Sequence, residues 1–478
     1  MSAAVRPAGG VRRGGAKAWL GIPFAAAARF AAPRVLPFEE AAHDAYGAAP
    51  FQIEDPNQPL GADPAEDSAF LNVWAPAEPG SGPLPVLVTV YGGGFEHGAG
   101  SSWAADGAAL AASGRLVVVS FNYRVGALGF ATVSAIDPRF PEASNLGLRD
   151  VIAALQWVHD EIERFGGDPA HVTVLGESAG GFLAAALAAA PSADGLYSRL
   201  AVHSAGASRI LPPARAESMA RGLIEALAAS GHPDPATADP LELVRAQSTV
   251  VATDIGVRNG PSPQAFGVVD DSLAPSPVLT GHPAEAIRGG RILSVPILVS
   301  TTLDEIALFR SSAPDLFDPP SLDAVIAEVE GFGVARERAE EIVAAYGDPA
   351  DDSPGAVRAR LLTDYIYRLP ALRLAETQAS AGGEAHLFLV GRADGAPAGH
   401  AVDVAGLIGG HWPVSTPAAD ERDRAITAIV LDFATGSPLG WEAVSPGSPV
   451  AGRVGELAEE PVETFARIAR LWDGVPRP

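Results

Sequence analysis

Apolar residues along this chain follow two rhythms. Short, mostly apolar runs at 85–90, 116–121 and 172–175 have the length of buried strands. Between the second and third, Leu148, Val151, Ile152, Leu155, Val158 and Ile162 recur at three- and four-residue steps. That period predicts an amphipathic helix starting near Asn145 and stopped by Gly166-Gly167-Asp168-Pro169. Further strands are expected at 200–203, 295–300 and 385–390. A last helix is expected from Pro461, since proline is tolerated at a first helical position. Strands alternating with helices predict an α/β fold with a mostly parallel central sheet flanked by helices on both faces. Two stretches, 208–290 and 309–367, break the rhythm with Pro, Asp and helical Ala runs. They are expected to be cap-like insertions over the sheet's end, within one domain spanning 1–478.

Composition narrows the class. With 478 residues, 47% hydrophobic and 19% charged, the chain is long enough to bury a sizeable globular core. A net charge of −24 repels phosphate backbones and anionic lipid, which argues against nucleic-acid binding. The absence of cysteine excludes disulfides, a thiolate nucleophile and Cys-ligated metal. No run of about 18 apolar residues occurs, and 1–15 carries arginine and glycine where a secretory signal has an apolar core. The expectation is a cytoplasmic protein with no membrane insertion.

The chemistry begins at Gly176-Glu177-Ser178-Ala179-Gly180, between an apolar run and a small-residue run. Strand, tight turn and helix with a serine at the apex is the build of a nucleophile elbow. Chance alone gives roughly 0.4 such patterns in a chain of this composition, so the neighbours must decide. A serine needs a base at neutral pH, and histidine titrates there. His400 is preferred, in the loop-like segment Ala396-Pro397-Ala398-Gly399-His400 after a candidate strand. His411 is second. His97 precedes Ser178 and breaks the Ser…Asp/Glu…His order of such folds; His171, His203 and His386 lie beside or within strands and suit packing. The orienting acid should follow a strand between serine and histidine. Asp304 and Glu305 both qualify, only one of two adjacent residues should face the histidine, and either also suits an ordinary solvated loop. Gly92-Gly93-Gly94 and the N–H of Ala179 are candidate oxyanion donors. No Lys-Ser/Thr follows the glycines, as a phosphate loop requires.

Seven blocks appear in a telling order: Gly21-Ile22-Pro23-Phe24-Ala25 with Arg29-Phe30, then residues 66–74, 91–95, 122–126, 145–150, 165–169 and 176–181. On these the chain resembles, over nearly its whole length, the type-B carboxylesterase family of the α/β-hydrolase fold, which includes cholinesterases, liver-type carboxylesterases and bacterial nitrobenzyl esterases. The resemblance implies Ser178 as nucleophile, Glu305 as acid and His400 as base, with Asp403 three residues on. It implies Gly93, Gly94 and Ala179 as oxyanion hole, no cofactor and no metal. The partners it implies are a small-molecule carboxylic ester and water. Glu177 and Phe95 are expected to border the substrate. It also suggests ion pairs of Arg124 with Glu66 and of Arg29 with Asp150.

Some positions depart from the family. Ile306 stands where a glycine usually follows the acid, and Ala205 where a serine often helps hold it. Ser68 and the lack of cysteine remove the usual N-terminal disulfide loop. Residues 52–66 carry no tryptophan for cation–π contact with a choline group, which disfavours a cholinesterase-like preference. The same triad serves amides, carbamates or acyl transfer. A non-catalytic binding protein on this scaffold is the alternative of another class, and presence of all three triad residues weighs against it.

Overall fold

The computed structural model describes residues 6–477 apart from 57, 79, 81, 320 and 349–350, so residues 1–5 of the 1–15 segment lie outside it. Among the described residues, ten strands form the main sheet. In chain order they are β1 (Val11–Arg13), β2 (Ala16–Pro23), β3 (Phe70–Pro76), β4 (Leu84–Val90), β5 (Val117–Phe121), β6 (Gly167–Glu177), β7 (Arg199–His203), β8 (Ile297–Thr302), β9 (Ala385–Val390) and β10 (Gly452–Val454). Their spatial order is β1-β2-β3-β5-β4-β6-β7-β8-β9-β10. The β1–β2, β2–β3 and β3–β5 pairs are antiparallel, and every later pair is parallel.

Alternate residues of the central strands enter different layers, as a pleated sheet requires. Val86, Val88, Val117, Val119, Val174, Val202 and Val299 join one core cluster. Leu87, Val118, Leu175, Ala201, Leu298 and Phe388 join the other. The first cluster is covered by α1 (Leu146–Glu161) and α2 (Ala179–Ala186), the second by α3 (Pro417–Thr435). Burial on both faces explains why these strands read as near-continuous apolar runs.

Two boundaries differ from the pattern. Strand β6 starts at Gly167, because Gly167 already pairs with Leu84 before an irregularity in register. Strand β8 runs 297–302 where 295–300 was expected. Pro296 has no N–H to give a ladder, while Thr301 and Thr302 pair with Leu389 and Val390. Helix α1 begins as expected, but Asn145 does not cap it: its side chain bonds the backbone of Val269 through both amide atoms.

The stretches 208–290 and 309–367 follow the carboxyl ends of β7 and β8 and carry helices, including Pro213–Ala229, Pro240–Gln247 and Ile255–Asn259 in the first and Leu322–Glu330, Arg336–Ala344 and Pro354–Thr363 in the second. Carboxyl ends of parallel strands form one edge, where open α/β sheets place their ligands. No helix among the described residues is long and apolar enough to cross a membrane.

The expected ion pairs form with their partners exchanged. Arg124 binds Asp150 through two guanidinium bonds of 2.8 Å, and its own N–H donates to the same carboxylate at 2.9 Å. Arg29 binds Glu66 and donates to the carbonyl of Ala238 at 2.6 Å. Asp150 lies on α1 directly beside the loop carrying Arg124, so that pair closes inside the core and the more exposed Glu66 is left to Arg29.

Candidate active site

Ser178 occupies the turn between β6 and α2 with φ 54° and ψ −121°, a conformation that an L-residue adopts under strain. The turn holds because its neighbours have no side chains. A Cβ on Gly176 would come within 2.1 Å of the Gly180 carbonyl oxygen, and one on Gly180 within 2.0 Å of the Val90 carbonyl oxygen. The Ser178 N–H donates to the His203 carbonyl on β7 at 2.9 Å, fixing the elbow to the sheet edge.

The histidine and acid arrive on loops from the next strands. The Ser178 hydroxyl lies 2.8 Å from His400 Nε2, and His400 Nδ1 lies 2.6 Å from Glu305 Oε2. A carboxylate only accepts, so this contact places the imidazole proton on Nδ1 and frees Nε2 to accept from the serine. Glu305 is fully buried; its other oxygen, Oε1, accepts from the Ser204 hydroxyl at 2.6 Å and the Thr302 N–H at 2.8 Å. The two neighbouring acids divide the work. Asp304 faces outward and ties the loops together, accepting from the Ala398 N–H at 3.0 Å and pairing with Arg392 at 2.8 Å. The His400 N–H donates to the Glu305 carbonyl at 3.0 Å, so backbone and side chain both hold the imidazole to its acid.

The expected loss of a supporting serine at 205 is corrected here. Ser204, at φ 47°, supplies the hydroxyl one position earlier. Ala205 packs against the nucleophile's helix: a Cβ on Gly181 would stand 2.6 Å from its methyl. Ile306 is fully buried, and its N–H donates to the Thr363 hydroxyl at 3.2 Å.

The glycine loop lies against the serine. A Cβ on Gly92 would come within 3.0 Å of Ser178 Cβ and 2.3 Å of Glu177 Oε2. Gly93 has φ 115°, and a side chain there would meet the His97 carbonyl oxygen at 2.3 Å. Among the described residues no acceptor takes the N–H of Gly93, Gly94 or Ala179. Phe95, expected at the substrate, is instead turned into the core: it is fully buried against Phe130 and Phe182 and anchors the loop.

Charge is concentrated and unevenly satisfied. Glu177 is buried beside the imidazole, with Oε1 3.5 Å from His400 Nε2 and without a hydrogen bond. Burial, with Asp403 and Glu305 adding repulsion against the pull of His400, pushes Glu177 up to about 8. Asp403 is fully buried with neither oxygen bonded, and burial followed by the charge of Glu305 pushes it up to about 7. Burial pulls His400 down, yet the bond and charge of Glu305, then Glu177 and Asp403, carry it up to about 9. These groups share protons: protonating either extra acid removes charge that holds His400 up.

The other histidines stand elsewhere. His97 and His411 are exposed. His171 pairs with Asp168 on the surface, and His386 lies 2.9 Å from Glu384. His203 is fully buried beside the Ser300 hydroxyl, and burial holds it down to about 3 and so neutral.

Residues 8–436 match the sequence profile of the Carboxylesterase family. The para-nitrobenzyl esterase of Bacillus subtilis (strain 168) is 34% identical over 386 residues, covering 77% of this chain and 74% of that protein. The chain belongs to the carboxylesterase family. It is a carboxylic-ester hydrolase with the family's α/β-hydrolase fold. A solved PNB esterase superposes with a TM-score of 0.78 at 29% identity, over 94% of this chain and 95% of the other. A Geobacillus stearothermophilus carboxylesterase superposes with a TM-score of 0.82 at 28% identity, over 97% and 98%.

This carboxylesterase also places two aromatic rings on the histidine that its sequence did not single out. Tyr367 lies 4.6 Å from the His400 ring centre and Phe309 5.4 Å. Tyr367 sits in a π-helical turn, Asp364–Arg368, between two α-helices. Wide turns of that kind often mark functional sites, but apolar periodicity does not reveal them.

Proposed function

We propose that this enzyme hydrolyses small-molecule carboxylic esters through an acyl-enzyme on Ser178. His400 takes the serine proton as Oγ attacks the ester carbonyl. The tetrahedral oxyanion is met by the N–H groups of Gly93, Gly94 and Ala179, donors without another acceptor among the described residues. His400 then gives its proton to the departing alcohol, and water repeats the cycle on the acyl-enzyme. Glu305 holds the imidazole's tautomer and stabilises its charged form. Glu177 borders the substrate and adds negative potential at the imidazole. The observation that carries this proposal is the unbroken chain from Ser178 Oγ through His400 to Glu305, at 2.8 and 2.6 Å, supported at its far end by Ser204 and Thr302. The test is Ser178→Ala with a short-chain p-nitrophenyl ester. Turnover should fall on the order of 10⁴-fold or more, and an organophosphate should label Ser178 in the folded wild type. Normal turnover by the variant would exclude the proposal.

A further inference from the structure

The loop leaving β7 passes Ser204 and five residues later delivers Arg209, a cation that the triad does not use. Arg209 is 6% exposed. Its guanidinium carbon stands 4.8 Å from the ring centre of Phe95 and 5.9 Å from that of Phe182. Nη2 donates to the Phe266 carbonyl at 3.3 Å, Nε has no acceptor, and no carboxylate among the described residues bonds the group. Of the charged groups acting on it, Arg258 and Arg477 repel, and Glu96 is already held by Arg258. Ring faces attract a cation but do not replace an anion, and a buried charge without its counter-ion is costly.

The position of this cation matters. Phe95 directly follows Gly94 in the glycine loop, and Arg258 Nη2 reaches the Gly94 carbonyl at 3.4 Å. In an ester bound for attack, the alcohol arm must stand at His400 to receive a proton, and the carbonyl oxygen at the N–H groups of the loop. The acyl arm is left for the side of the loop that Phe95 anchors from the core. We propose that Arg209, backed by Arg258, is the counter-ion for a free carboxylate on the acyl arm, so that the preferred substrates are half-esters of dicarboxylic acids.

This assignment rests on the ester-hydrolysing site above and names its substrate class. The net charge of −24 repels an anion at long range, but that repulsion is screened by salt, while a contact with a buried guanidinium is screened much less.

The experiment compares kcat/KM for ethyl pentanoate, monoethyl adipate, and the pentanoyl ester of 3-hydroxypropanoate, followed by acid release. The wild type should favour monoethyl adipate over ethyl pentanoate by about tenfold or more. Arg209→Met should cut that ratio at least about tenfold, equivalent to about 1.4 kcal/mol, and Arg209→Lys should keep part of it. Free adipate should compete with ethyl pentanoate in the wild type, a measurement that decides the matter if Arg209→Met does not fold. A wild-type ratio of one or less, a ratio unmoved in folded Arg209→Met, no competition by adipate, or a preference for the carboxylate on the alcohol arm would each overturn the assignment. Ser178-dependent turnover of the neutral ester alone leaves the esterase mechanism standing while removing this specificity. No Ser178-dependent turnover of any of the three esters would instead overturn the mechanism, and this assignment with it.

Discussion

The Arg124–Asp150 pair and the His400–Glu305 pair are both buried, yet their surroundings differ in kind. Arg124 and Asp150 share two bonds of 2.8 Å, a backbone N–H completes the carboxylate, and the remaining guanidinium nitrogen donates to the Ala31 carbonyl at 2.8 Å. Around His400 stand Glu177 and Asp403, whose oxygens Oε1 of the first and both of the second lack hydrogen bonds. A fully satisfied network fixes the fold; a partly satisfied one keeps its protonation responsive to small changes. Stability and proposed catalysis therefore draw on buried charge at different places in the same molecule.

Substitutions can break this contrast. Glu305→Gln should lower kcat by about 10³- to 10⁴-fold, because the imidazole loses the partner that sets its tautomer, while thermal unfolding changes little. Asp150→Asn should do the reverse. It should cost about 3–5 kcal/mol in denaturant unfolding by leaving Arg124 unpaired, with kcat of the folded fraction within about threefold of wild type. A Glu305 variant that unfolds, or an Asp150 variant that keeps its stability, would erase the distinction.

Smaller changes sharpen it. Ser204→Ala removes one of two donors to Glu305 Oε1 and should lower kcat about tenfold, roughly 1.4 kcal/mol, with Ser204→Thr restoring most of it. The last test is a pH profile. The base must be neutral, so activity is lost as pH falls through the titration of His400. That group is held above its ordinary 6.5, so the acid limb of kcat/KM should lie above 6.5. Glu177 is one of the charges holding it there. Glu177→Gln should move the limb to lower pH, by less than about one unit. An unmoved limb would assign Glu177 to the fold alone.

Much of the site was legible because its constraints are local. The elbow's glycines are demanded by backbone within a few residues and by the adjoining strand, and the glycine loop by its own turn. The period of α1 and the apolar runs of the parallel strands follow from burial on one face or two. Phe95 is the instructive exception: its place beside the glycines suggested substrate, but the ring is the loop's anchor, and its face carries Arg209.

Sequence by itself determined the α/β architecture, the serine at the elbow, the glycine loop, and the order in which Glu305 and His400 follow. Tertiary structure decided which of Asp304 and Glu305 faces inward, that Ser204 and not residue 205 holds the acid, and how Arg29 and Arg124 divide their carboxylates. It also decided that Tyr367 and Asp403 join the site. The physical reason is distance along the chain. A turn or a helix period is enforced by neighbours, whereas the Ser178–His400 contact spans 222 positions and the His400–Glu305 contact 95. Such partners are selected only when the sheet brings the ends of its parallel strands to one edge and burial leaves each charge few places to go.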